Sequence, residues 1–172
     1  MSRDRVLLDP AHGRCIYTVM ASSADSLRAQ CLRVSTECTA SQLRRAARAI
    51  SRIHDQTIAS SGLRGTQFNV LVALSLFGQV PLLRLADRLG LERTTLTRNL
   101  QPLERDGLVT SSAGPDQRVR LLRLTDEGRR ALERAMPLWE KAQRRVVSGL
   151  GTKRWHELLA GLNAASTLRA EG

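Results

Sequence analysis

The sequence predicts a mainly α-helical fold carrying one small β-hairpin, and three observations lead there. From Thr36 onward, apolar residues recur at helical spacing through most of the chain. Aromatics are only 3 % of the 172 residues against 42 % hydrophobic overall, so the core must be Leu, Ala and Val, which suits packed helices better than a β-sandwich. Only the stretch after Gly107 alternates as strands do, and a Gly-Pro-Asp turn divides it.

Residues 1–34 show no sustained periodicity and are expected to form a flexible N-terminal arm. "MASSADSLRAQ" from Met20 is itself a good protein start, so residues 1–19 are either part of that arm or a matter of start-codon choice. In "TASQLRRAARAISRIHDQTIASSGL", Leu43, Ala47, Ile50, Ile53 or His54, and Thr57 or Ile58 share a helical face, with Arg44, Arg45, Arg48 and Arg52 mostly off it. Ser60-Ser61-Gly62 ends that helix. Thr66 is the expected N-cap of "QFNVLVALSLF", which is apolar on most sides and therefore buried. Pro81 fits the first position of "PLLRLADRL", which stops at Gly90.

Next comes "RTTLTRNLQPLERDG", a helix made of mediocre helix formers and interrupted by Pro102. "LVTSS" and "RVRLLRL" then pair around "AGPDQ" as a hairpin. Thr125-Asp126-Glu127 opens a long helix running towards Gly149, with Pro137 as an expected kink. A last helix spans Lys153 to about Leu168.

Charge and motifs narrow the function. Lys plus Arg number 27 against 16 acids, a net +11, so polyanions are the natural partners. The basic residues are nearly all arginine, and the charge is spread along the chain, so it does not locate a site. Cys15, Cys31 and Cys38 are odd in number and lack metal-ligand spacing, which points to a reduced cytoplasmic chain with no metal site and no disulfide framework. There is no apolar run of membrane-spanning length and no signal-peptide core. The histidines His12, His54 and His156 are far apart, and no phosphate loop or nucleophile motif accompanies them. Neither an enzyme nor a cofactor is expected.

Helix, turn, helix, hairpin is the order of a winged helix-turn-helix, and it explains the odd composition of the opening helix of that hairpin. Leu96, Leu100 and Leu103 would anchor it on the core. Arg93, Thr94, Thr95, Thr97, Arg98 and Gln101 would then be chosen for what they touch. Threonine offers a hydroxyl to phosphate and a methyl to thymine, and arginine forks onto guanine or phosphate. On the wing, Asp116, Arg118 and Arg120 are the candidate contacts, with an Asp116–Arg118 ion pair holding the arginine extended for the minor groove. The expected division is an arm at 1–34, an N-terminal dimerisation helix at 35–64, a DNA-binding head at 65–124 and C-terminal dimerisation helices at 125–172. Leu132, Ala135, Leu138, Trp139, Leu158, Leu159 and Leu162 exceed what a small head can bury and call for a partner surface.

"GLRGTQFNVLVAL", "LADRLGLERTTLTRNLQPLERDGLV", "DQRVRLLRLTDEGRRAL" and "AMPLWEKAQ" fall in one order over about residues 36–168, and together they resemble the MarR family of bacterial winged-helix regulators. The resemblance implies a cytoplasmic, nucleoid-associated homodimer straddling a pseudo-palindromic operator in double-stranded DNA, acting as a repressor. Its recognition helix is Arg93 to Arg105, and Asp116 and Arg118 make its wing contacts. Many relatives carry D-[RK]-R at the wing tip, and here Gln117 takes the middle place. The family often responds to a small aromatic or phenolic effector, which by analogy places a pocket at His54, Phe68 and Trp139. These residues equally suit a hydrogen-bonded helix histidine and two core aromatics. Some relatives sense hydroperoxides through a cysteine where Cys38 stands, with tyrosines holding the thiolate. The only tyrosine here is Tyr17, and a small buried cysteine is the plainer account. The alternatives are therefore a redox-sensing regulator of the same fold and a winged-helix protein-interaction module. No membrane partner is expected.

Overall fold

The structure is a computed structural model that describes residues 23–168. Its elements, in chain order, are α1 (Ser23–Glu37), α2 (Thr39–Ile58), α3 (Gly65–Phe77), β1 (Val80–Pro81), α4 (Leu82–Leu89), α5 (Arg93–Arg105), β2 (Val109–Ala113), β3 (Arg120–Leu124), α6 (Asp126–Leu150) and α7 (Thr152–Ser166). The described residues fall into two compact units, divided between Ala46 and Ala47.

In the first unit, residues 23–34 belong to a helix where the sequence offers no period. Leu27, Leu32 and Val34 of α1 are all exposed. With no buried face there is nothing to impose a helical spacing on the apolar residues. Residues 1–22 of the arm expected at 1–34 lie outside the described residues. At Cys38 the chain passes from α1 to α2. The Cys38 carbonyl accepts the N–H groups of Ser41 and Gln42, both at 3.0 Å, and the Gln42 amide donates to the Ser35 carbonyl at 2.8 Å.

The second unit is built on α3. Val70 and Leu71 are fully buried, and Phe68, Ala73 and Leu74 nearly so, as an all-round apolar helix requires. Its cap differs from expectation. Arg64, and not Thr66, is the N-cap residue: its N–H donates to the Gln67 amide oxygen at 2.8 Å. The next orphan N–H, that of Gly65, is taken by the Asp55 carboxylate of α2, also at 2.8 Å. Thr66 lies one residue inside the helix and is exposed.

Around α3 pack the leucines of α5 and the sheet. The sheet has three antiparallel strands in the order β1-β3-β2. The β2–β3 hairpin pairs Val109 with Leu124 at its base and Ala113 with Arg120 at its outer end. β1 adds only Val80 opposite Leu122 and Pro81 opposite Leu121. That pairing places Pro81 in extended backbone at the N-cap of α4, one residue earlier than the first helical position expected of it. Leu122, in the central strand, is fully buried.

α6 starts as the sequence implies. The Thr125 hydroxyl accepts the Gly128 N–H at 3.0 Å and donates to the Gly107 carbonyl at 2.7 Å, which ties the helix to the hairpin's base. Gly128 is required there, because a Cβ would sit 2.0 Å from the Leu108 carbonyl oxygen. In the next turn, Leu132 and Ala135 are buried in the chain's own core, with Leu138 and Trp139 packed against it. Leu132 and Ala135 therefore need no partner molecule, contrary to expectation, while Leu138 and Trp139 stay partly exposed. Leu159 and Leu162 of α7 remain 40 % and 39 % exposed.

Candidate nucleic-acid interface

α4 and α5 are joined by a turn at Gly90, whose φ of 61° lies in the left-handed region that glycine adopts without strain. The N–H of Gly90 bonds the Asp87 carbonyl at 3.0 Å and that of Leu91 bonds Ala86 at 2.9 Å, closing α4 tightly before α5 begins. α5 runs from Arg93 to Arg105, the span that the family resemblance implies.

At 100° per residue the side chains of α5 sort into flanks. Leu96, Leu100 and Leu103 are buried and fix one face against the core. Opposite them Thr94, Arg98, Gln101 and Arg105 succeed one another along the outer face, and all four are exposed. Arg105 is engaged by the neighbouring Asp106 carboxylate at 2.9 Å, which raises its already high pKa. Thr95 is exposed on one edge of this row. On the other edge lie Arg93, Thr97 and Glu104, the flank that turns to the hairpin.

Thr97 is half-buried there, and its hydroxyl donates to the Arg93 carbonyl at 2.8 Å. It is therefore less available than the open threonine expected from the sequence. Pro102 removes the N–H that would have bonded the Arg98 carbonyl, yet the helix continues through it.

The hairpin rises beside this flank. Its tip is closed by Gly114 N–H to the Val119 carbonyl at 2.8 Å and Val119 N–H to the Asp116 carbonyl at 2.9 Å. Asp116 does hold Arg118, but through the main chain: its carboxylate accepts the Arg118 N–H at 2.9 Å. No ion pair between the two side chains occurs among the described residues. This leaves the guanidinium exposed. Arg118 shares a cleft with Arg93 and with Arg84 of α4, floored by Leu82, Leu83 and Val119. Arg84 is absent from the candidates read by sequence, because nothing in "PLLRLADRL" shows which arginine faces the wing.

Arg120 departs most from expectation. Its guanidinium is not free on the wing, because one nitrogen, Nη2, lies 2.5 Å and 2.6 Å from the two carboxylate oxygens of Glu104. The two residues are sixteen apart and in different elements, a pairing with no local signature.

His54, Phe68 and Trp139 come together elsewhere in the second unit. They line one cavity of about 280 Å³ with Ile50, Asp55 and Asn69. Phe68 is buried and Trp139 half-buried against the core. The Nδ1 of His54 lies 3.1 Å from the Ile50 carbonyl, which only an Nδ1–H can satisfy, so its other nitrogen is an acceptor while the ring is neutral. Cys38, in the first unit, is half-buried. A hydrogen bond with the Ser41 side chain, helped by the Ser41 backbone, holds its thiol below the ordinary range. Among the described residues no cluster of His, Cys, Asp or Glu is arranged to hold a metal ion, and no helix is long and apolar enough to cross a membrane.

A polar outer row on a helix held by leucines, with arginines gathered beside a hairpin, is the arrangement of a winged helix-turn-helix protein. A model of the MarR family matches residues 61–118, and the chain belongs to that family of DNA-binding transcriptional regulators, which are not enzymes. It is 41 % identical to the transcriptional regulator MosR of Mycobacterium tuberculosis, whose structure was solved in complex with DNA. The TM-score is 0.63, over 77 % of this chain and all of that one. Bordetella bronchiseptica BpsR, whose DNA binding is regulated by 6-hydroxynicotinic acid, is 28 % identical with a TM-score of 0.71, covering 78 % of this chain and 96 % of that one. The uncharacterized HTH-type regulator YwoH of Bacillus subtilis (strain 168) is 30 % identical over 92 residues, which is 54 % of this chain and 67 % of the relative.

Proposed function

We propose that the protein is a cytoplasmic homodimeric repressor that reads a pseudo-palindromic operator and releases it when a small aromatic molecule binds. The observation that carries this reading is the division of labour on α5. Thr94, Arg98 and Gln101 face outward as a row, while Arg93, Arg84 and Arg118 gather in the cleft beside them. The row enters the major groove, where arginine and glutamine discriminate base edges. The cleft arginines hold phosphates, and Arg118 follows the minor groove. Exposed Leu159 and Leu162 on α7 supply apolar surface for the second copy.

The effector enters at the His54–Phe68–Trp139 cavity. Two aromatic rings and aliphatic Ile50 suit a flat ring, and His54, Asp55 and Asn69 offer polar partners for its substituents. The regulation of BpsR by a hydroxylated aromatic acid supports that choice of chemistry. Such a ligand acts only by binding one spacing of the two heads better than the other.

The test is fluorescence anisotropy of the protein on its own upstream DNA, with unrelated DNA as competitor and salt as a variable. The expected result is binding on the order of 10⁻⁸ M or tighter, at two protomers per site, resisting competitor. Equal binding to both DNAs, abolished by moderate salt, would reduce the interaction to charge attraction and favour a protein-contact role.

A further inference from the structure

Glu104 is an odd residue for a DNA-binding helix. It lies on the wing flank of α5, on the side that carries Arg93 and Thr97, where an unpaired carboxylate would repel phosphate. Arg120 answers that charge from the first residue of β3, and both partners are partly withdrawn from water, at 39 % exposure for the arginine and 23 % for the glutamate. The hairpin needs such a support. β1 reaches only Leu121 and Leu122, so β3 beyond them has β2 as its single neighbour, and Thr110 to Ala113 of β2 are exposed throughout. Among the described residues, no other side-chain hydrogen bond joins the hairpin to α5.

We propose that Glu104 and Arg120 are a positioning pair. Their ion pair clamps the outer half of the wing to the recognition helix, and thereby sets where Arg118, two residues further out, meets the DNA. Arg120 then contributes no phosphate contact of its own. This inference rests on the contact assignment above, and its test has one arm that needs no DNA.

The sign of one substitution separates the proposal from plain electrostatics. Glu104→Gln removes a negative charge from the DNA-facing side, so charge alone predicts tighter binding to every DNA. The positioning account predicts operator binding weakened about tenfold, a coupling typical of paired charges, with nonspecific binding unchanged or tighter. It also predicts that the loss caused by Arg118→Ala shrinks from about tenfold in the parent to about twofold in the Glu104→Gln background, because a misplaced wing has little left to lose. Arg120→Lys keeps a cation within reach of Glu104 and should retain near-parental operator binding, whereas Arg120→Gln should lose operator binding at least as much as Glu104→Gln and, with the Glu104 carboxylate left unpaired, weaken nonspecific binding as well.

Without DNA, amide hydrogen exchange at Gly114 and Val119 should quicken in Glu104→Gln, while the amides of α3 stay protected, which also shows that the fold is intact. Unchanged exchange at the tip would overturn the clamp whatever the DNA results. Quickened exchange with tighter operator binding and a full Arg118 effect would overturn the role in DNA recognition. Failure of the parent protein to distinguish its operator, with the exchange result as expected, would refute the contact assignment and leave the clamp standing.

Discussion

Arg98 and Thr97 are adjacent in the chain and face different tasks. Arg98 stands exposed on the outer row of α5, while the Thr97 hydroxyl is bonded to the Arg93 carbonyl. Arg98→Ala should cost about 1–3 kcal/mol of operator binding and relax the preference for one base pair, measured by competition among single-substitution operators. Thr97→Val, which removes only a hydroxyl already engaged by its own helix, should stay within about twofold of the parent in the same assay. Cys38 allows a pH test. The Ser41 hydrogen bond favours the thiolate, so the thiolate fraction of Cys38 survives to lower pH than that of an ordinary thiol. Alkylation of Cys38, followed by peptide mass spectrometry, should reach half its maximal rate at a pH below the ordinary thiol value, and Ser41→Ala should move that midpoint up. A midpoint at the ordinary value, unmoved by Ser41→Ala, would contradict the assignment.

At the scale of elements, the hairpin and α6 meet in a close-packed junction. Thr125 accepts from Gly128 and donates to Gly107, and Gly128 leaves no room for a side chain against the Leu108 carbonyl. Thr125→Ala should therefore lower unfolding stability by about 1 kcal/mol, as a lost N-cap does. Gly128→Ala should lower it by roughly 1–3 kcal/mol through overpacking. Urea titration checks both, and a neutral Gly128→Ala would mean that the close approach is not real.

The elements also show what could be read in advance. The core face of α5 was legible because Leu96, Leu100 and Leu103 recur at helical spacing, and its bounds followed from the family resemblance. β1 was not, because two residues, one of them proline, carry no alternation and become a strand only by pairing with β3. α1 was missed because its apolar residues bury against nothing. Within the site, the outer row followed from the same leucine period. The Glu104–Arg120 pair and the place of Arg84 depend on how the wing folds back, and no local pattern records that.

At the scale of the whole molecule, a net charge of +11 attracts any DNA, and the proposed function assigns specificity to the few side chains that α5 and the wing present. The proposed palindromic reading needs two copies, and exposed Leu159 and Leu162 are where the proposal places their contact. Sedimentation should find a dimer for the parent and a monomer for Leu159→Arg combined with Leu162→Arg, with circular dichroism preserved. A dimer in both would move the interface elsewhere. The most direct test of the central claim, that α5 lies in the major groove with the wing on the minor groove beside it, is a hydroxyl-radical footprint on the upstream operator. The account predicts two symmetry-related minor-groove protections flanking the two half-sites, both lost in Arg118→Ala while protection within the half-sites remains. A footprint without those flanking protections, or one that Arg118→Ala leaves unchanged, would contradict it.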